Sequence, residues 1–423
     1  MSNLKSFYLG FIERSGFHIL ISTTLARLLS FFASWVALKL IPNFELGLVI
    51  YALNIITLII PISGFGAYQG LLRYGALLKT DTEKNQLFSY VLIKGGLLSL
   101  VLIAIISLSS SLFTYNILES RIYLILISLS IFTHFLMESL KIQFRVLHQN
   151  KNFAKAEIIF NIILLILVSF GSYFFKENGY IFALIASPLI TFFIFLPKIK
   201  FSFYLPNHFK KPSLEFWKYS FYTGLSNVAG QLLFVLDIIL IGTLLKDPEM
   251  VTIYKYLSLI PFSLLFLPRA ILTTDFVMLT KRHADKLYIK KYIKNYSYLF
   301  LLISIILILL TFMFSELILS FFDKEFILHK LEFRILIIGV SSILIFRGLF
   351  GNLLSTIGKA YINYWIALTG LLINLFSNYI LIPKYGILGA AVTSAGIMWI
   401  TSLLSVYFYF YFYNKIEATD STN

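Results

Sequence analysis

Long apolar stretches separated by short polar connections run through the whole sequence, and this pattern predicts helices that cross a membrane. A helix needs about 20 mostly apolar residues to span a bilayer core, and in lipid it satisfies its own backbone hydrogen bonds. Twelve stretches qualify. The predicted spans are 16–40, 44–72, 87–111, 122–147, 154–175, 179–199, 215–245, 249–280, 291–314, 332–356, 360–382 and 386–413. We therefore predict an all-α polytopic membrane protein.

The composition supports a chain that is surrounded mainly by lipid. Apolar residues make up 59% of the 423 residues and charged residues only 13%, about half of the roughly 25% that is usual in soluble domains. The mean hydropathy is +0.85. No connection between the spans is long enough to hold a soluble core. The sequence has no cysteine, which excludes disulfides, zinc–thiolate sites and thiol chemistry.

Basic residues are distributed unequally between the two sets of loops. Of the 35 lysines and arginines, 22 lie on the side that holds both chain ends and 8 on the other side. Cytoplasmic loops of membrane proteins are enriched in Lys and Arg, so we predict that both termini are cytoplasmic. The same rule accounts for the net charge of +15, and we expect no nucleic acid as a partner.

Two pairs of landmarks suggest that the second half of the chain repeats the first. Tyr51 and Tyr254 each open a span that leads into a basic loop, and Lys151 and Lys359 each precede a span in a similar context. Both pairs are separated by slightly more than 200 residues and by six spans. Parallel repeats of this kind build many transporters. We predict two parallel six-helix bundles, residues 1–205 and 206–423, around a central cavity.

Polar residues inside the spans mark the candidate functional positions, because a charge near the bilayer centre costs about 2.5–3.5 kcal/mol on insertion scales. In span four, His134, Glu138, Lys141 and Arg145 share one helix face. Glu138 can pair with His134 or with Lys141 at helical spacing. Arg145 fits the cytoplasmic end of the helix, whereas we expect His134 and Glu138 to face a cavity.

Three other spans complete the candidate set. Arg27 lies near the midplane, since ten residues of helix rise about 15 Å. The remaining candidates are Asn227, Gln231 and Asp237 in span seven and Arg269 in span eight. Asp237 can neutralise an arginine or carry a coupling ion, and structural pairing is the interpretation that lipid favours. The excess of arginine predicts a wet, cationic cavity for an anionic head group, because Arg binds phosphate with paired hydrogen bonds.

Sequence motifs of common enzymes are missing. The chain contains no GxxxxGK[ST] phosphate loop, no HExxH metal motif and no GxSxG nucleophile elbow. The predicted external loops are too short to hold the chemistry of a glycosyltransferase or polymerase. We therefore predict a transporter and not an enzyme, without a metal site or a cofactor, and leave H⁺ or Na⁺ coupling open.

The segment 374–393 carries a family resemblance. Two asparagines are followed by Pro383, Gly386 and Ala391 in an order similar to the N…N…LIPxYGxxGAA segment of polysaccharide exporters. These form a branch of the multidrug/oligosaccharidyl-lipid/polysaccharide (MOP) superfamily. We expect Pro383 to end span eleven.

Two further segments match the family. One is Asp237 to Gly242 followed by Tyr254, and the other is Ser63 to Gly66 followed by Arg73. The family often has a proline near the end of span eight, where this chain has Thr274-Asp275-Phe276.

The resemblance implies a Wzx-type flippase in the inner (cytoplasmic) membrane of a bacterium. Such a protein moves an undecaprenyl-diphosphate-linked oligosaccharide, an O-antigen or capsule repeat unit, from the cytoplasmic to the periplasmic leaflet by alternating access. Arg27 and Arg269 would attract the diphosphate. The path would be lined by His134, Glu138, Asn227, Gln231 and Asp237. The implied partners are the lipid-linked oligosaccharide, membrane lipids and a polysaccharide assembly machinery.

Two other functions stay open at the level of the sequence. A cation-coupled multidrug exporter of the same superfamily would need an acidic site for its coupling ion and its cationic drugs, and the basic balance of the spans argues against it. A membrane glycosyltransferase or polymerase would need an essential acidic pair on an external loop, and none is evident.

Overall fold

A computed structural model describes residues 16–202 and 212–420. Lys5, Arg14, Lys210 and Lys211 contribute to the orientation prediction and lie outside the described residues, so the cytoplasmic location of the termini stays a prediction. The α-helices are α1 Gly16–Leu40, α2 Asn43–Ile59, α3 Ala67–Leu77, α4 Asp81–Leu108, α5 Ser110–Phe113, α6 Ser120–Ser128, α7 Ser130–Val146, α8 Asn150–Phe195, α9 Leu214–Leu245, α10 Pro248–Ser263, α11 Phe266–Lys281, α12 Lys286–Phe322, α13 Lys330–Ser342, α14 Gly348–Thr356, α15 Ala360–Tyr385 and α16 Ile387–Asp420. Short 3₁₀ or π-helical segments cover Ile60–Gly66, Leu196–Lys198, Lys324–His329 and Ile343–Arg347.

Each predicted span coincides with a helical segment. Nine helical stretches among the described residues are long and apolar enough to cross a membrane. One of them, Asn150–Lys198, covers two predicted spans, because the chain reverses at Lys176 (φ 51°, ψ −130°) and brings the backbone of Gly171 against that of Gly179. The helices α1 and α9 coincide with predicted spans one and seven. The prediction of an all-α polytopic membrane protein with about twelve spans is confirmed.

Several helices extend beyond the predicted spans, as α12 does at both ends, and two of the wrong ends have a local cause. α4 begins at Asp81 and not at residue 87, because the Thr80 hydroxyl accepts a hydrogen bond from the backbone N–H of Glu83 and the Glu83 carboxylate accepts one from the N–H of Thr80. α15 runs through Pro383 and ends at Tyr385. A proline in the last turn removes one helical hydrogen bond, but the reversal requires the positive φ (60°) of Gly386.

Predicted span two is interrupted where a continuous helix was expected. Between α2 and α3 the backbone is extended at Ser63 and has positive φ at Gly64, Phe65 and Gly66. Irregular backbone at membrane depth is tolerated only where protein covers it. Here α9 covers it so closely that a Cβ on Gly66 would clash with the carbonyl oxygen of Ser220. The family-like Ser63–Gly66 segment is therefore a packing element.

Predicted span eight is also divided. α10 ends at Ser263 and α11 begins at Phe266, and the N–H of Leu264 donates to the carbonyl of Pro261 between them. The sequence contains the signal, since Pro261 cannot donate a hydrogen bond to the preceding turn.

The described helices group into two compact units, Ile21–Thr252 and the part of the chain from residue 253 onward. The core of the first unit is built on phenylalanines, among them Phe88, Phe135 and Phe144. The core of the second unit contains the aromatic column Tyr292, Tyr296 and Phe300. The predicted boundary between residues 205 and 206 stays a prediction.

The same turn follows α7 in the first unit and α14 in the second. The N–H of Gln149 donates to the carbonyl of Phe144 (2.7 Å), and the N–H of Lys359 donates to the carbonyl of Leu354 (2.8 Å). A residue with positive φ precedes each donor. These turns are 210 residues apart, so Lys359 corresponds to Gln149 and not to Lys151 as the sequence suggested.

Candidate functional site

The first group of candidate residues lies on a helical hairpin in the first unit. α7 and the beginning of α8 are joined by the tight turn at 147–149. Lys141 lies about two turns before this connection and Glu157 about two turns after it. In an antiparallel hairpin these two positions come to the same level, and the two side chains meet.

Lys141 forms ion pairs with two carboxylates. Its Nζ lies 2.7 Å from Glu138 Oε1 and 2.7 Å from Glu157 Oε2. The lysine side chain is 10% exposed and each glutamate side chain 32% exposed. We call these three residues the Lys141 cluster. Of the two partners predicted for Glu138, the structure selects Lys141. One lysine between two carboxylates leaves a net charge of −1 when all three are ionised.

His134 lies one helical turn from the cluster and bonds to its own helix. Its Nδ1 lies 3.1 Å from the carbonyl oxygen of Ser130, and because a carbonyl only accepts, the Nδ1–H is the donor. The ring packs edge-on against Phe160 on α8, with 6.3 Å between ring centroids. Its half-buried ring therefore helps to hold α7 against α8.

The candidate residues of α9 do not share one environment. Asn227 is exposed, Gln231 is half-buried and Asp237 is only 1% exposed. At 100° per residue, Asn227 and Gln231 lie about 40° apart, whereas Asp237 lies roughly 80° from Asn227 and roughly 120° from Gln231. Arg27 on α1 is exposed. Asn227 and Arg27 remain accessible, the amide oxygen of Gln231 is buried, and Asp237 is part of the protein interior.

Arg269 lines a cavity in the second unit. The cavity has a volume of about 310 Å³ and lies beside the π-helical turn Ile343–Arg347. Its polar lining includes Arg269 and Asn352, and the Asn352 amide N–H donates to the carbonyl of Gly348 (2.9 Å). The volume is at the lower end of the range for ligand pockets, and a guanidinium at its wall suits a small anionic group.

Arg347 points away from this cavity. Its Nη1 donates to Ser405 Oγ on α16 at 2.6 Å, and Arg347 lies at the end of the π-helical turn. Arg347 therefore joins its own helix to α16. A π-helical turn contains an extra residue and interrupts the 3.6-residue period of the helix. Residues before and after the turn therefore cannot be placed on a common helix face by counting along the sequence.

Asp275 has a hydrogen-bond partner that the sequence did not indicate. The Tyr292 hydroxyl on α12 donates to Asp275 Oδ2 at 2.9 Å, and both residues are buried. The bond to Tyr292 ties α11 to α12 inside the second unit and gives Asp275 a structural role.

This bond allows a test of the second unit. Tyr292→Phe leaves the buried carboxylate with one donor fewer, and we expect a loss of about 2 kcal/mol, within the range for an unsatisfied buried group. Tyr288→Phe is the matched control, because its hydroxyl donates to the Met278 sulfur, a weak acceptor. Thermal unfolding in detergent should show a clearly larger loss for Tyr292→Phe. Equal losses would contradict the role of this hydrogen bond.

Glu157, Asn352 and Tyr292 are the contributors that sequence reasoning missed. Glu157 could have been found, since a tight turn between two spans places residues at equal distances from it side by side. Tyr292 and Asn352 are brought to their partners by helix packing, for which the sequence has no periodic signal.

Comparisons with known proteins agree with this architecture. No family model matches the sequence. The chain is similar to the capsular polysaccharide biosynthesis protein CapF of Staphylococcus aureus, with 32% identity over 133 residues. That match spans 31% of this chain and 32% of the relative, so it compares about a third of each protein.

Solved structures match over nearly the whole chain. The lipid II flippase MurJ in an inward closed conformation has a TM-score of 0.73 at 20% identity, covering 92% of this chain and 86% of its own. An inward-facing multidrug resistance MATE transporter of the MOP superfamily has a TM-score of 0.77 at 12% identity, covering 95% and 99%. A MOP superfamily transporter from Pyrococcus furiosus has a TM-score of 0.65 at 16% identity, covering 96% of each chain.

The protein is a multi-pass membrane protein with a transporter fold. That fold is the one of the MOP superfamily, and the resemblance inferred from the segment 374–393 is confirmed at this level. The similar proteins of known structure are described as a flippase and as transporters.

Proposed function

We propose that the protein is a flippase for an undecaprenyl-diphosphate-linked oligosaccharide, an O-antigen or capsule repeat unit, in the inner membrane of a bacterium. It moves this lipid from the cytoplasmic to the periplasmic leaflet by alternating access. The fold shared with the lipid II flippase and the partial match to a capsular polysaccharide biosynthesis protein both support this assignment.

The observation that carries the proposal is the position of Arg269. This arginine lies on a helix of a predicted membrane span and lines a cavity of about 310 Å³. A charge within a membrane span is costly and is retained where it serves a function or is paired. A guanidinium offers the planar pair of donors that a diphosphate accepts. We assign Arg269 and Arg27 to the diphosphate and the amides of Asn227 and Gln231 to the sugar.

The acidic candidates favour an anionic substrate over a cationic drug. Glu138 is held by Lys141 at 2.7 Å, Asp275 accepts a hydrogen bond from Tyr292, and Asp237 and Asp275 are each only 1% exposed. A carboxylate that binds a drug cation must be accessible to it. In this assignment Glu138 and Asp237 support the path through structure, and His134 lines it beside Phe160.

A leaflet-resolved assay tests the proposal. In a strain that lacks the gene, we expect lipid-linked oligosaccharide to accumulate in the cytoplasmic leaflet, where impermeant labels do not reach it. Arg269→Gln should fail to restore export, because the amide cannot replace the charge, while the protein still folds and inserts. Arg282→Gln is the control, since the Arg282 guanidinium stacks on Tyr288 and does not line the cavity.

The outcomes separate the protein's function from the role of one residue. An unchanged leaflet distribution in the deletion strain, together with new sensitivity to cationic drugs, would contradict the flippase. Full export by Arg269→Gln would remove Arg269 from the site while leaving the flippase intact.

A further inference from the structure

A second cavity, in the first unit, differs from the Arg269 cavity in chemistry and size. It has a volume of about 580 Å³ and lies between α2, α4 and α9. Aliphatic side chains such as Ile55, Ile106 and Leu236 form most of its wall. The size is typical of a ligand pocket. We infer that this cavity, here called the apolar pocket, binds one acyl chain of a membrane phospholipid.

Polar side chains in the wall of the apolar pocket are few, and two of them, Tyr51 and Thr243, donate their hydroxyl hydrogens within the protein. The Tyr51 hydroxyl donates to the carbonyl of Phe113 at 3.1 Å and lies 3.2 Å from Thr243 Oγ1. The Thr243 hydroxyl donates to the carbonyl of Ile239 at 2.7 Å. Each hydroxyl has only one hydrogen to donate, so neither can donate to a ligand. The rest of the wall is almost entirely apolar apart from Asn116, which favours a hydrocarbon.

The pocket is continuous with the surface that faces lipid. Its lining includes Leu112 and Tyr115, whose side chains are 79% and 77% exposed. On α4, Ile106 faces the pocket and is 5% exposed, while the adjacent Ile105 points outward and is 54% exposed. A chain from the surrounding bilayer can therefore enter sideways without passing a charged group.

The volume distinguishes between the two hydrocarbon chains that such a membrane offers. If a methylene takes about 30 Å³, the share of one water molecule in the liquid, the pocket holds a chain of roughly 20 methylene groups. That is the size of one phospholipid acyl chain. An undecaprenyl tail is too long for this volume, and most of it would stay outside the pocket. The acyl chain is the better match in size, and the inference does not depend on the proposed transport.

Photo-crosslinking tests the inference. The purified full-length protein is incubated in nanodiscs with phosphatidylglycerol that carries a diazirine near the end of one acyl chain, irradiated and digested. In the wild type we expect labelled peptides from α4 and α9 at residues of the pocket. Ile106→Trp fills the pocket and should reduce this labelling severalfold. Ile105→Trp adds the same side chain one position away, on the lipid-facing side, and should leave the labelling unchanged.

The inference is overturned if Ile106→Trp is labelled as strongly as the wild type, or if both tryptophan variants lose labelling equally. It is also overturned if undecaprenyl phosphate displaces the probe at a lower concentration than unlabelled phosphatidylglycerol does. Leu236→Phe fills the pocket from α9 with a smaller change in volume. It is used in the same way if Ile106→Trp does not yield folded protein, and labelling equal to the wild type in Leu236→Phe overturns the inference as well.

Discussion

Lys141→Met is expected to destabilise the first unit by about 3 kcal/mol, at the lower end of the cost of breaking a buried ion pair. Removal of the lysine leaves Glu138 and Glu157 facing each other without a cation, both partly buried. The two carboxylates then repel each other, and the hairpin of α7 and α8 loses one of the contacts that join its arms. The expected result is a lower yield of folded protein and earlier unfolding, measured by heating in detergent followed by size-exclusion chromatography.

Two companion variants identify the cause. Lys155→Met removes an exposed lysine two residues from Glu157 and should change stability by only a few tenths of a kcal/mol, as is usual for exposed charges. Adding Glu157→Gln to Lys141→Met removes the like-charge repulsion and should recover part of the loss. If Lys141→Met is as stable as Lys155→Met, the Lys141 cluster does not hold the hairpin together.

Gly66→Ala is expected to be at least as damaging, for a reason of shape and not of charge. Gly66 has a φ of 68°, and a Cβ there would clash with the backbone of Ser220 on α9. The left-handed conformation costs an alanine about 1–2 kcal/mol, and overpacking against rigid backbone adds about 1–3 kcal/mol. We expect α9 to separate from the break between α2 and α3, with poor recovery of folded protein.

Gly358→Ala isolates the two contributions. Gly358 also has positive φ (77°), but a Cβ there would have no atom within 4 Å. This variant should therefore show the conformational cost alone. Thermal unfolding of the two variants side by side gives the packing contribution at Gly66 as the difference. Losses of the same size would mean that α9 does not press on the break.

The sequence was sufficient for the spans because each apolar stretch has the length that a bilayer requires. It failed where the helices are irregular. The break at Ser63–Gly66 depends on α9 covering the exposed backbone groups, and the π-helical turn before Gly348 shifts the helix faces on either side. Neither is encoded in a hydrophobic period, since both depend on a neighbouring helix.

The candidate site was predictable residue by residue but not as an arrangement. The stripe on span four correctly placed Glu138 within reach of Lys141, because helix geometry alone determines that pair. The same arithmetic did not show that Glu157 completes the cluster, or that Asp275 bonds to Tyr292. A charged residue in a membrane span is a candidate functional residue, but its role depends on the partner that tertiary packing provides.

The reversal at Lys176 has a consequence for how the chain enters the membrane. The two arms of α8 touch within a few residues of the turn, and the Lys176 ammonium donates to the carbonyl of Leu40 at the end of α1. With so little chain between them, the two arms must be inserted together as one helical hairpin. A reporter inserted after Lys176 would separate the arms, so the orientation of this region is better mapped from the polar turn at 147–149.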